Sequence, residues 1–166
     1  MSALHATVME AFKSMGWKYR VVPDQEVVEC AFEAHHTKVI LHAQSYGEAG
    51  IVTIVASSSL QSPHSHFRAV SELIMRTNKE LNLGNFEFDW DGGQVMFRVS
   101  NVFGKLRADP RIIAGLAHTA VAEMDRFTPF LAELIRVSTL ELPVFSVRDL
   151  LARQDLLPAV AQAAGS

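Results

Sequence analysis

The clearest structural signal in this chain is residues 86–99, Phe86-Glu87-Phe88-Asp89-Trp90-Asp91-Gly92-Gly93-Gln94-Val95-Met96-Phe97-Arg98-Val99. Apolar and polar residues alternate on both sides of an Asp-Gly pair, which is the pattern of a β-hairpin with one buried face. A tight two-residue turn at Asp91-Gly92 gives two apolar cross-strand pairs, Phe88 with Val95 and Phe86 with Phe97. We therefore predict an amphipathic hairpin within an antiparallel sheet.

The polar face of this hairpin has some features of a calcium-binding loop. Residues 87–92 place acidic side chains at the first, third and fifth positions and glycine at the sixth. Arg98 stands at the twelfth position, where a bidentate carboxylate is needed, and the flanking residues alternate as strands do. We therefore favour the hairpin, with a diagonal cross-strand pair between Glu87 and Arg98.

The residues before the hairpin also predict strands. Between Lys18 and Ala56 the chain is built of short alternating runs of β-branched residues, separated by turn residues. The run from Ile51 to Val55 is apolar on both faces, which indicates a central or covered strand. We interpret this region as an antiparallel meander.

Three helices are predicted around these strands, because apolar residues recur three and four positions apart. The first covers residues 4–15. The second and third open at Ser62-Pro63 and Asp109-Pro110, where an N-cap residue precedes a proline suited to the first helical turn. Pro129 removes a backbone donor inside the third helix, so we expect that helix to kink or restart near Thr128.

These elements predict one α+β domain over residues 1–137, with a five-stranded antiparallel sheet and helices packed on it. Their order is α-β-β-β-α-β-β-α. Residues 138–166 are predicted to be an apolar C-terminal tail with a short helix beginning near Ser146, and not an independent domain. A chain of 166 residues is long enough to bury a core of this size.

Composition limits the classes of partner. The chain has 15 basic and 18 acidic residues and a formal net charge of -3, and its Lys and Arg residues are scattered. We therefore expect neither nucleic acid nor membrane as a partner. Cys30, the single cysteine, permits no intramolecular disulfide, and residues 1–10 do not read as an export signal. Both observations favour the cytoplasm.

The sequence has no clear arrangement of metal-binding or catalytic residues. The histidines at 35, 36, 42, 64 and 66 are spaced so that their side chains diverge, and we expect scattered surface histidines and no metal. The serine-rich stretch 57–66 lacks an acid to orient an imidazole, so a loop and helix cap is favoured over a nucleophile. Cys30 alternates inward and is expected to be an inert buried thiol. No catalytic residue and no cofactor are predicted.

The chain resembles a known family through a set of short motifs. They are Gly16-Trp17 with Tyr19, Asn78 with Leu81, Gly84-Asn85-Phe86-Glu87, Asp91-Gly92 with Val95, Phe97 and Arg98, and Asp125 with Pro129. In order and spacing these resemble the YbjN-like domain family over roughly residues 3–136. The resemblance implies the type III secretion chaperone-like fold and a bacterial cytoplasmic regulator of sensory transduction. It also implies chaperone-like relatives that dimerise and bind polypeptide, and it brings no catalytic motif.

The C-terminal tail is the remaining candidate for a functional surface. Val144, Phe145, Leu150 and Leu151 belong to an apolar set too concentrated to lie freely in water. We expect them to contact either a partner, such as a second subunit, or the core of their own domain.

The sequence thus favours a non-enzymatic regulatory or protein-binding module, which the resemblance implies to be a homodimer with a protein partner. A small-ligand sensor, or an enzyme with a pocket between helix and sheet, is the alternative.

Overall fold

A computed structural model describes residues 1–157, and the last part of the predicted tail, residues 158–166, lies outside the described residues. In chain order the α-helices and strands are α1 (Ala3–Ser14), β1 (Tyr19–Val21), β2 (Val27–Glu33), β3 (Lys38–Tyr46), β4 (Ile51–Gln61), α2 (Phe67–Asn78), β5 (Asn85–Phe88), β6 (Gln94–Val102), α3 (Pro110–Arg136) and α4 (Val147–Leu151). Short 3-10 helices cover His64–His66, Leu142–Val144 and Gln154–Leu156.

The α+β class and the antiparallel sheet are confirmed, but the predicted number of strands was wrong. The sheet has six strands in the order β1-β2-β3-β4-β6-β5, all paired antiparallel. The region between Lys18 and Ala56, counted as three strands, contains four, and the first of them, β1, pairs with β2 so that Tyr19 lies opposite Cys30. The strand β1 is only three residues long, and it is held in place by its pairing with β2.

The hairpin of β5 and β6 has the predicted register, with Phe86 opposite Phe97 and Phe88 opposite Val95. The turn was predicted wrongly, because it is longer than two residues. The amide of Gly93 donates to the Asp89 carbonyl at 2.8 Å, so the loop spans residues 90–93. Gly93 has φ 71°, the left-handed conformation that glycine adopts without strain.

The helices α1 and α3 lie on one face of the sheet and enclose the core against it, while α2 packs beside β5. The residues of each strand alternate between this covered face and an outer face. Fully buried side chains from helices and strands meet in this layer, among them Phe12, Leu41, Ile54, Phe97, Ile113 and Leu131.

The helix α3 is continuous from Pro110 to Arg136, so it does not restart near Thr128, while the alternative of a kink there stays a prediction. Residues on both sides of Pro129 are buried, including Phe127 and Leu131. The hydroxyl of Thr128 donates to the Met124 carbonyl at 2.7 Å. Burial of the helix on both sides of the proline outweighs its local cost of about 3 kcal/mol.

The two predicted proline-containing helix starts behave differently. Asp109 caps α3, with its side chain accepting from the amide of Arg111 at 2.8 Å. Ser62 was wrongly predicted to cap α2, because a 3-10 turn comes between them and the Ser62 hydroxyl donates to the Pro63 carbonyl. A serine can cap only a helix whose first amides lie within reach of its side chain.

The described part of the C-terminal tail packs on the domain. Ser146 caps α4 by accepting from the Asp149 amide at 3.2 Å. Val147 and Leu150 are buried in the core, and α4 contacts both α2 and α3. Beyond α4, the Arg153 guanidinium contacts Glu133 of α3 at 2.8 Å. These contacts place the tail along the outer side of α2.

Candidate functional site

A groove of about 1020 Å³ runs between the outer side of α2, the tip of the β5–β6 hairpin and the segment that leads into α4. We call it the tail groove. The residues that decide its chemistry are Arg68, Met75, Trp90, Leu142, Pro143 and Phe145. They come from three separate parts of the chain, and packing of the tail on α2 brings them together.

The apolar side chains of the tail groove are unusually exposed. Trp90 is 57% exposed and Met75 is 74% exposed. The indole of Trp90 stands edge-on to the rings of Phe67 and Phe88, with centroid distances of 5.6 and 5.7 Å. One side of the indole is therefore held rigidly by the domain, and the rest faces the groove. A fixed aromatic ring of this kind is a common anchor for a binding partner.

The polar groups of the tail groove include a cation that has no counter-ion in the described part of the chain. Arg76 is paired with Glu72, with 2.7 Å between Nε and Oε1. Arg68 forms no ion pair with any of the residues 1–157. The hydroxyl of Ser71, which also lines the groove, is buried and has no hydrogen-bond partner in the described part of the chain. Within residues 1–157, the groove thus carries an unpaired positive charge beside apolar surface.

The four tail residues predicted as an interface take different positions. Phe145 is half-buried and lines the tail groove, while Val144 points outward and is exposed. Leu150 is buried in the core of its own domain. Leu151 lines a separate cavity on the other side of α4. The structure therefore brings only Phe145 together with Met75 and Trp90.

That separate cavity, which we call the inner pocket, has a volume of about 340 Å³. It lies between α2, α3 and the edge strand β5, and Phe86, Phe127, Phe130 and Leu151 form its apolar wall. The rings of Phe86 and Phe127 are stacked at 4.2 Å. At its rim are two arginines and two glutamates, so the charges around the opening balance.

The expectation of surface histidines was wrong for His66, which is buried, and His5 in α1 is buried as well. The Nε2 atom of His66 lies 2.8 Å from the Val137 carbonyl, which ties the start of α2 to the end of α3. Burial lowers the pKa of His5, whose Nδ1 lies 3.3 Å from the Ser45 hydroxyl. Within residues 1–157 there is no group of three side chains placed to bind a metal.

Two other predicted features are found in the structure. The guanidinium of Arg98 donates to both carboxylate oxygens of Glu87, at 2.7 and 3.0 Å, which confirms the diagonal pair. Cys30 is buried, with its Sγ 3.0 Å from the Lys18 carbonyl, and burial raises the pKa of its thiol. A raised pKa disfavours the reactive thiolate at neutral pH.

The sequence did not identify the residues that supply the exposed apolar surface of the tail groove. Trp90 was assigned only to the hairpin pattern, and Met75 to no role. A signal was present, because Arg68, Glu72, Met75 and Arg76 follow helical spacing on the side of α2 opposite its buried face. A methionine on such a polar face indicates contact beyond the helix itself.

The described residues form an antiparallel α+β domain with an open, partly apolar groove, and among residues 1–157 no three His, Cys, Asp or Glu side chains are placed to hold a metal ion. The chain belongs to the YbjN family, described as "putative bacterial sensory transduction regulator", which matches it over residues 5–133. No curated protein and no solved structure gives a significant match. In the part of the chain that the structure describes, every helix is too short or too polar to cross a membrane.

Proposed function

We propose that this chain is a non-enzymatic cytoplasmic regulator that acts by binding a polypeptide partner in the tail groove. The observation that carries this proposal is the exposure of Trp90 and Met75 on one surface, together with Phe145. Rigid aromatic and flexible sulfur-containing side chains are enriched where proteins bind other proteins. The family's description as a regulator is consistent with this role.

The chemistry of the tail groove defines the partner segment that would fit. Apolar side chains of the partner would cover Trp90 and Met75, and an aspartate or glutamate would neutralise Arg68. A carboxylate is favoured because Arg68 lacks a counter-ion among the described residues, whereas Arg76 already has Glu72. We propose an acidic, apolar segment of a protein as the occupant.

Two further parts of the proposal rest on the family resemblance. The first is that the domain adopts the type III secretion chaperone-like fold, whose expected strand number is one lower than that of this sheet. The second is that the chain is a homodimer, the commonest symmetric assembly. Val144 and Phe145 remain the tail residues proposed for contact with a partner, since Leu150 is used by the core.

Peptide selection tests the groove directly. A random peptide display library is selected on the full chain, and the enriched peptides are synthesised and titrated while the fluorescence of the tryptophans is recorded. We expect enriched sequences that combine apolar residues with Asp or Glu, and a change in Trp90 emission on binding. The variants Met75→Glu and Arg68→Glu should each weaken binding at least about tenfold, a change of about 1.4 kcal/mol.

The matched control is Leu106→Glu, which also replaces an exposed apolar residue but lies in the loop between β6 and α3. It should bind the same peptides as the unmodified chain. Enriched peptides that bind all three variants equally would show that the tail groove is not the binding surface. Failure to enrich any peptide would count against polypeptide binding itself.

A second candidate function is small-ligand sensing through the inner pocket. Its support is the pocket's volume of about 340 Å³ and its wall of stacked phenylalanines between helix and sheet. Such a wall suits an uncharged apolar ligand. Native mass spectrometry of the chain purified without denaturant would detect a retained ligand as added mass. Filling the pocket with Leu151→Trp should remove that mass, while Met75→Glu should leave it.

A further inference from the structure

The outer face of the sheet, opposite the helices, carries several exposed apolar side chains. Its residues are known from the strand register, because each is the neighbour of a buried residue along its strand. Ile40 and Tyr46 of β3 and Val102 of β6 are exposed there, Val102 at 69%. Val55 of β4 is half-buried on the same face. We call this surface the open face.

The apolar residues of the open face form two separate rows across the strands. In the first row, Ile40 of β3 and Met96 of β6 lie on either side of the small Ser57 of β4, with which both are directly paired. The second row is Tyr46, Ile51 and Val102 on the same three strands. The rows are six residues apart along each strand, which is about 20 Å.

Between these apolar rows lie two rows of polar groups. One consists of Gln44, Thr53 and Ser100, in which the hydroxyls of Thr53 and Ser100 are 2.9 Å apart. The other contains His42 and Arg98 on either side of Val55. The order along the strands is therefore apolar, polar, polar, apolar.

This order is self-complementary under a two-fold rotation. The rotation axis lies parallel to the sheet and perpendicular to its strands, at a level midway between Thr53 and Val55. Rotation about this axis exchanges the two apolar rows with each other and the two polar rows with each other. Two sheets packed face to face about such an axis would oppose Met96 of each copy to Val102 of the other. The small Ser57 would likewise oppose the larger Ile51. The twist of packed sheets, about 30°, shifts these pairs by no more than about one strand spacing.

We infer that the open face binds a second copy of this chain, with the two sheets packed face to face about this axis. This inference rests on the proposed homodimer and names the surface that forms it. The tail groove then remains free in each copy for the polypeptide partner, because it lies beyond the helices on the other side of the sheet.

The size and charge of the open face are compatible with a dimer. The four residue rows run fully across β3, β4 and β6 and partly across the shorter strands, and together they cover about 600 Å² per copy at standard strand spacings. The buried total is near the roughly 1,200 Å² at which specific interfaces begin. The charged side chains of the open face are paired within one chain, because Glu87 is paired with Arg98 and Glu29 with Arg20 and His42. A second copy therefore meets a neutral surface and no field that repels it.

Opposite charges introduced at Met96 and Val102 test whether these two residues face each other across the dimer. Light scattering and sedimentation of the full chain measure the dimer dissociation constant for Met96→Lys, Val102→Glu and the double variant. Each single variant places a charge against an apolar side chain of the other copy, and we expect the constant to rise at least about tenfold. The double variant should recover most of the loss, because the new lysine of each copy faces the new glutamate of the other. Within one chain the two positions are about 20 Å apart and cannot pair.

The remaining outcomes distinguish this inference from the proposals on which it rests. A monomeric mass for the unmodified chain would overturn the homodimer and the open face together, while leaving the tail groove open to the peptide test. A dimer that persists in both single variants would retain the homodimer but overturn the open face as its surface. Loss of the dimer in Met75→Glu instead would place the second copy in the tail groove. Far-UV circular dichroism of each variant, unchanged from that of the unmodified chain, excludes unfolding as the cause.

Discussion

Asn78, in the last turn of α2, makes two hydrogen bonds with the backbone of Phe86 in the edge strand β5. The amide of Phe86 donates to Oδ1 of Asn78 at 2.7 Å, and Nδ2 of Asn78 donates to the Phe86 carbonyl at 3.0 Å. The side-chain amide thus takes the place that a further strand would occupy. It pairs an otherwise open sheet edge, which reduces the risk of association through that edge.

The first prediction follows from this pair of bonds. Asn78→Ala leaves the amide of Phe86 without a partner and its carbonyl with only the long contact from Nδ2 of Asn85 at 3.5 Å, and we expect it to lower the free energy of unfolding by about 1–3 kcal/mol. Urea unfolding followed by circular dichroism measures the change. Asn82→Ala, at an exposed position just beyond α2, is the control and should change stability by less than about 0.5 kcal/mol. Equal stability of the two variants would contradict a structural role for Asn78.

The second prediction concerns the hairpin register. Phe97 is fully buried and packs edge-on against Phe86 at 5.0 Å, so Phe97→Ala should cost about 3–5 kcal/mol of unfolding free energy. Leu106→Ala removes a similar apolar side chain from an exposed loop and should cost less than about 0.5 kcal/mol. Denaturant melts of the two variants compare them directly. Similar losses would show that β6 presents the opposite face to the core.

The third prediction is a pH dependence from Glu87. Hydrogen bonds from Arg98 lower the pKa of the Glu87 carboxyl below its ordinary value, although partial burial opposes the shift. A lowered folded-state pKa stabilises the fold above the ordinary glutamate pKa of about 4.3, and this stabilisation is lost as the pH falls through the folded value. Solvent screening limits it to at most about 1 kcal/mol.

Glu87→Gln should therefore reduce the loss of stability between about pH 5 and pH 3, measured by urea unfolding at each pH. Glu10→Gln, at an exposed position of α1, serves as the control and should keep the acid dependence of the unmodified chain. An unchanged acid dependence in Glu87→Gln would mean that the ion pair with Arg98 does not persist in solution.

The fourth prediction separates the two roles that the sequence leaves open for the tail. Leu150 is buried against the domain core, so Leu150→Ala should lower the free energy of unfolding by about 2–5 kcal/mol. Val144 is exposed, and Val144→Ala should leave stability within about 0.5 kcal/mol of the original value. Thermal melts at a fixed, low protein concentration make the comparison. If Val144→Ala proved the more costly change, the tail would be held mainly by another chain.

Features whose interacting partners are close along the chain could be predicted from the sequence. The register of Phe86 with Phe97 follows from strict alternation around a short turn, and the pairing of Glu87 with Arg98 follows from that register. The caps at Asp109 and Ser146 needed only backbone amides two and three residues away. Such interactions depend on local spacing, and local spacing is visible in a sequence.

Features whose interacting partners are distant along the chain depend on tertiary packing and could not be predicted in this way. β1 is a strand because β2 lies beside it, and Pro129 remains inside α3 because the core holds the helix on both sides of it. The tail groove joins Arg68, Trp90 and Phe145, whose meeting depends on how α2, the hairpin and the tail pack. Burial energy shared over many contacts exceeds the local preference of any one residue, and it therefore selects which distant surfaces meet and which stay exposed.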